Sequence, residues 1–268
     1  MFRYEEYPVK GELSLFIKKL WTLDNSNQSL PVFDKSVLPN GCFNIAFIMG
    51  SGLQIKHRNI EKRLPEGVYF CGQMTEALTV RIEPYSAATM VQLYPWTPVH
   101  FTPVGLDLYT DKIIPISELG IAPYNQLKNE KHLHYASICR QVLYAFSPLL
   151  NVNKASTLIT EGTQMIVNAQ GNITIVKIAK TLNCSVRHLQ KLFKFHIGLT
   201  PKQMSIIIKL RDAVDELAYS EKGSSTLTKL ALTNQFYDQA HFINTFQAIV
   251  KTSPAKFQLP DYFLSWKK

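Results

Sequence analysis

The 268-residue sequence has no two cysteines close enough to act together. Its four, Cys42, Cys71, Cys139 and Cys184, are 29, 68 and 45 residues apart. That spacing excludes a CxxC zinc or redox motif and does not resemble a secreted disulfide framework. Long apolar runs are missing too: the longest, Ile45–Met49, falls far short of the roughly 20 residues that a bilayer span requires. The opening MFRYEEYPVK has two adjacent glutamates and no apolar stretch behind it, so neither a signal nor a transit peptide is expected. A reducing, cytoplasmic setting is the expectation, with no membrane partner. Charge is sparse at 18%, against 46% hydrophobic and 11% aromatic residues, which excludes disorder as a global description. A chain of this length is expected to hold two domains.

The formal net charge of +9 is unevenly spread. Residues 1–120 hold 11 Lys and Arg against 12 Asp and Glu, residues 121–150 hold 3 against 1, and residues 151–268 hold 15 against 7. A near-neutral half is thus joined to a basic one, and the basic part suits a polyanion.

The neutral half reads as β structure. Leu38-Pro39-Asn40-Gly41 has the chemistry of a turn, and Cys42–Met49 then reads as a buried strand. Shorter runs at Leu53–His57, Val68–Cys71, Leu78–Ile82 and Thr89–Tyr94 follow, separated by Gly, Pro, Asn and Ser. This spacing predicts an antiparallel barrel or sandwich. Beyond Pro123 the pattern turns helical, with Leu127, Ile138, Val142 and Phe146 forming an apolar stripe that either is a dimer surface or packs on its own barrel. From Ala155 onward about seven helices are expected. The predicted fold class is therefore α+β by segregated domains: an antiparallel β-barrel over 1–120, a helical linker over 121–153, and an all-α domain over 154–268.

The basic half contains a repeat. Leu189, Phe193 and Pro201 correspond to Phe242, Phe246 and Pro254 at an offset of 53, and Ala179 to Ala231 at 52. Each copy has a short apolar helix with an alanine, a tight turn, and a second helix with a polar N-terminus. That is helix-turn-helix logic: the alanine permits close helix approach, and the second helix is left free for a major groove. Between the copies, Thr200-Pro201 opens a helix striped by Met204, Ile207, Leu210, Val214 and Leu217. Its 19 or so residues span ~28 Å at 1.5 Å per residue, close to the ~34 Å between successive major-groove faces.

The run Ile178-Ala179, Ser185, Leu189-Gln190-Lys191, Phe193-Lys194, Gly198, Pro201, Leu230-Ala231, Phe236, Asp238, Phe242, Phe246 and Ser253-Pro254 resembles the DNA-binding domain of AraC-type bacterial transcription regulators. The N-terminal half is similar, through Leu38–Ile45 and Gly72–Thr75, to the cupin-like sensor domain of some members. The chain departs from the family pattern at Gln235 and Lys251, where glycine is usual, and at Gln258, where arginine is common.

The resemblance implies double-stranded DNA as partner and Arg187, Gln190 and Lys191 as base-reading positions of the first recognition helix, with Ser185 and Lys194 near phosphate. Arg and Lys suit guanine O6 and N7, and Gln suits adenine N6 and N7. In the second copy Asp238 is the expected cap, Ala240, His241 and Asn244 the outward readers, and Gln239 a phosphate contact. Without a cation among them, this face should read more weakly than the first.

For the N-terminal half the candidate pocket residues are Tyr69, Gln73, Tyr94, Trp96 and His100, which would take a small-molecule effector. A metal site is not expected: His57 and His100 are far apart, and His132 and His134, two apart on a helix, point about 200° apart. No cofactor and no catalytic residue is expected. A homodimer and RNA polymerase are the remaining candidate partners. The competing reading is a cupin-like enzyme with a basic interaction module.

Overall fold

The computed structural model describes residues 2–121, 127, 135–146, 152–219 and 226–263. Ten strands come first: β1 (Arg3–Pro8), β2 (Ile17–Asn25), β3 (Val32–Val37), β4 (Phe43–Met49), β5 (Leu53–His57), β6 (Ile60–Leu64), β7 (Gly67–Cys71), β8 (Leu78–Ile82), β9 (Ser86–Leu93) and β10 (Ile113–Pro115). They form a six-stranded sheet in the order β1-β2-β9-β4-β7-β10 and a four-stranded sheet in the order β3-β8-β5-β6, with every strand pairing antiparallel.

Why β4 reads as an unbroken apolar run is now clear. Ala46 and Ile48 face the other sheet, in a core with Trp21, Ile55, Val80 and Ile82, while Phe43, Ile45 and Phe47 face a second core. A strand buried on both sides has no solvent face to make polar. The β5–β6 hairpin closes through Arg58 and Asn59, with φ of 49° and 62°, the two positive values of a two-residue type I′ loop.

The second core is roofed by α1 (Thr97–Phe101) and α2 (Tyr135–Phe146). Leu127, Ile138, Val142 and Phe146 are all buried there, with the Phe146 ring stacked 4.4 Å from that of Phe101. The stripe therefore packs on its own sheet and does not stand as a dimer surface: Ile138, Val142 and Phe146 form the inner face of α2, and Leu127, outside that helix, joins the same core. Covering the apolar rear of the six-stranded sheet leaves none of those four side chains free for a partner.

Six α-helices follow among the described residues, one fewer than expected: α3 (Lys154–Asn168), α4 (Ile175–Thr181), α5 (Val186–Ile197), α6 (Pro201–Tyr219), α7 (Leu227–Thr233) and α8 (Gln239–Val250). Two 3-10 turns, Pro254–Lys256 and Leu259–Asp261, follow α8. Gly171 and Gly198 sit at φ of 77° and 82°, and Thr200 with Gln203 forms a reciprocal cap at the start of α6.

The two halves dock on each other. The Thr110 hydroxyl donates to the Gly198 carbonyl at 2.8 Å, His100 Nε2 lies 3.1 Å from the Thr160 hydroxyl, and the Ala77 N–H donates to the Ile249 carbonyl at 2.7 Å. At the C-terminal end the Phe263 N–H donates to the Ser36 carbonyl at 2.9 Å, so the last described residues extend the edge at β3, and the Phe263 ring stacks on Tyr4.

Candidate nucleic-acid interface

The repeat in sequence is a repeat in hydrogen bonds. In the first copy the Cys184 N–H donates to the Ala179 carbonyl, and in the second the Phe236 N–H donates to the Ala231 carbonyl, at the same offset of 52. Asn183 and Gln235 hold the left-handed position of the two turns, at φ of 50° and 54°. One extra residue, Tyr237, then enters the second turn, and it is 87% exposed. From there the offset is 53: Ser185 caps α5 by accepting from the His188 N–H at 3.1 Å, and Asp238 caps α8 by accepting from the His241 N–H at 2.7 Å.

Each recognition helix buries an i, i+4, i+8 stripe, Leu189, Phe193 and Ile197 in α5 and Phe242, Phe246 and Val250 in α8. The opposite faces are open. On α5 the exposed residues include Arg187, His188, Gln190, Lys191 and Lys194, and on α8 Gln239, Ala240, His241 and Asn244. The base-reading candidates of each copy are thus brought to one helix face.

Three phosphate candidates have local work. The Ser185 hydroxyl is the α5 cap, the Gln239 side chain accepts from the Thr228 hydroxyl at 2.6 Å, pinning α7 to α8, and the Lys194 amine donates to the Gly198 carbonyl at 3.2 Å. Lys194 therefore lies toward the far end of α5 from the Arg187 turn. His188 and Tyr237 are exposed beside the candidate residues and were not among the sequence candidates. Exposure on the same open face is the signal that marks them, and it exists only once the stripe facing inward is known.

Helix α6 joins the copies through both cores. Met204 and Ile207 pack with Phe193 and Ile197 of the first, whereas Leu210 and Val214 pack with Phe242 and Phe246 of the second. The electrostatics of the copies differ. Ile175–Gly198 carries five cations and no acid, while Leu227–Lys251 carries Lys229 and Lys251 against Asp238. Lys251 pairs with Glu76 of the β half, whose carboxylate also takes the Arg58 guanidinium at 2.9 Å. Burial raises the Glu76 pKa less than these two cations lower it, so the net direction is down.

A cavity lies between the sheets, lined by Trp21, Leu38, Asn44, Ile55, Gln73 and Gln92 among others. Of the five pocket candidates only Gln73 lines it. Tyr69 is buried, with its hydroxyl on the Pro65 carbonyl. Tyr94 and Trp96 stack on each other at 4.5 Å, the indole N–H reaching the Leu15 carbonyl, and His100 sits at the junction with α3. Among the described residues no group of three metal-ligating side chains occurs and no helix is long and apolar enough to cross a membrane. His132 and His134 lie outside the described residues.

Comparison with known proteins gives two family matches. Residues 178–259 match a family described as a helix-turn-helix domain, and residues 5–115 match a domain of unknown function, DUF6597. No curated relative matches the chain. Among solved structures, ToxT from Vibrio cholerae is similar at 8% identity, covering 95% of this chain and 97% of that one with a TM-score of 0.45. The unsaturated fatty acid bound form of wild-type ToxT is similar at 11% identity, 95% and 94% coverage and a TM-score of 0.44. The xylose-binding transcription activator xylR is similar at 15% identity over 54% of this chain and 30% of that one, with a TM-score of 0.33.

Proposed function

We propose that this chain, an AraC-type protein whose residues 178–259 form a helix-turn-helix domain, is a sequence-specific transcription regulator of the cytoplasm, with α5 and α8 addressing successive major-groove segments of duplex DNA. The observation that carries the reading is the doubled turn-and-cap geometry, with two polar faces held at the ends of α6. Arg187, Gln190 and Lys191 read base edges. Ala240, His241 and Asn244 read less, through a thymine methyl or an adenine edge. Ser185, Gln239 and Lys194 lie toward phosphate, and Lys194 would have to release the Gly198 carbonyl to reach it.

The β half, residues 1–120, acts as the effector-sensing domain, 121–153 as the connection, and 154–268 as the DNA-binding domain. The cavity between the sheets is the effector site. RNA polymerase and a second copy of the chain are the further partners of such a regulator.

The test is binding of the full chain to labelled duplex DNA over a range of salt. Counterion release predicts that log affinity falls linearly with log salt. Absence of duplex binding even at low salt would remove the reading.

A further inference from the structure

The cavity between the sheets is uncharged. No Asp, Glu, Lys, Arg or His is among its described lining residues. Its two thiols add no charge: burial raises the pKa of Cys42, and that of Cys71 is pushed up to about 12. An ionised ligand placed there would lose its hydration and find no counter-charge, which costs far more than a few hydrogen bonds return.

Polar capacity is nevertheless built in, entirely as amides. Asn44 and Gln92 stand opposite each other in the β4–β9 pair. Gln92 is 3% exposed. The Asn44 carbonyl oxygen takes the Trp21 indole N–H at 3.4 Å, and the Gln73 NH₂ donates to the Gly41 carbonyl at 2.8 Å. Amide groups thus line an otherwise apolar chamber.

The chamber also has a direct line to one reader. Leu38 lines it, yet Leu38 is packed at 5% exposure in the core of the second helix-turn-helix with Leu210, Phe242 and Phe246. No residue lining the chamber belongs to the buried core of the first helix-turn-helix, whose member from the β half is Val99.

We propose that the chamber binds an uncharged, largely apolar small molecule carrying one or two hydroxyl, carbonyl or amide groups, and that its occupancy is passed through Leu38 to the second helix-turn-helix and not the first. This rests on the effector-sensing reading above. Close-packed cores transmit a change of volume and do not absorb it. A ligand that repositions the Leu38 side chain therefore acts on the packing beneath α8, the reader with little charge of its own.

The experiment uses the full chain and two dyes on one scaffold, neutral N-phenylnaphthylamine and its anionic analogue anilinonaphthalene sulfonate. The neutral dye is expected to bind at least tenfold more tightly, and filling the chamber with Ala46→Leu, or with Cys71→Leu should the first variant not fold, is expected to abolish it. Equal or tighter binding of the sulfonate overturns the ligand class. Neutral-dye binding undiminished by the filling variants overturns the site. Failure of both dyes in a chain that still binds DNA overturns the effector-sensing reading itself. Hydrogen exchange at saturating neutral dye tests the route: altered protection is expected over residues 227–250, unchanged protection over 175–197, and loss of the response in Leu38→Ala. A change confined to 175–197, or one that persists in Leu38→Ala, overturns the route through Leu38.

Discussion

Three residues hold left-handed backbone in the helix-turn-helix copies without being glycine, and they should respond differently to becoming one. A side chain at positive φ costs roughly 1–2 kcal/mol, less for Asn, whose short polar side chain tolerates that region. Glycine removes the cost but frees the unfolded chain, giving back about 0.4–1 kcal/mol. At Gln235, φ 54° and exposed, Gln235→Gly should therefore stabilise by about 0.5–1 kcal/mol, a rise in Tm of ~1–4 °C for a chain of this size. At Asn183, φ 50°, the same exchange should give no gain. At Lys251, φ 67°, the backbone gain is opposed by loss of the pair with Glu76, a carboxylate 13% exposed facing an amine 51% exposed. Solvent screening limits that pair to about 0.2–1 kcal/mol, so Lys251→Gly should fall short of Gln235→Gly by that amount. Thermal unfolding of the three variants, with a Lys251→Gly and Glu76→Gln double-mutant cycle, measures all of it. A gain at Asn183 equal to that at Gln235, or no coupling between Lys251 and Glu76, would refute the reasoning.

Other outcomes follow from the same contacts. Burial holds the His57 imidazole below its ordinary pKa, outweighing the Asp111 and Glu76 carboxylates that raise it, and burial alone lowers that of His196. Both groups bind fewer protons folded than unfolded, so their contribution is present above an unfolded pKa of about 6.5 and is lost as pH falls below it. Tm should drop between about pH 7.5 and about pH 5.5, and His196→Phe should reduce the drop. Phe193 is fully buried at the centre of the first copy, so Phe193→Ala should cost about 3–5 kcal/mol in chemical unfolding; a loss below 1 kcal/mol would contradict that placement. On single-base variants of a bound site, Arg187→Ala or Gln190→Ala should lose ~1–3 kcal/mol of discrimination at one end, and Asn244→Ala should lose less.

The strands legible in the sequence were the apolar ones. Leu53–His57 and Leu78–Ile82 coincide with β5 and β8, because alternation there reports one buried face. β1, β2 and β6 escaped for the opposite reason. RYEEYP and IEKRL are mostly polar strands of sheet edges, and IKKLWTLDN carries adjacent lysines on a strand whose burial comes from both neighbours. The helix-turn-helix copies were legible in detail, since caps, alanines and aromatic stripes are local signals. The cavity was not. The aromatic candidates Tyr94 and Trp96 stack on each other away from it, whereas Asn44 and Gln92 meet only through β4–β9 pairing, a contact between residues 48 positions apart.

The central claim is that two unequal readers recognise a DNA sequence. Selection of bound duplexes from a random pool by the full chain tests it most directly. The account predicts enrichment of a short motif whose more constrained end loses its preference when the selection is repeated with Arg187→Ala. Recovery of duplexes without any common sequence, or a motif unchanged by that substitution, would contradict it.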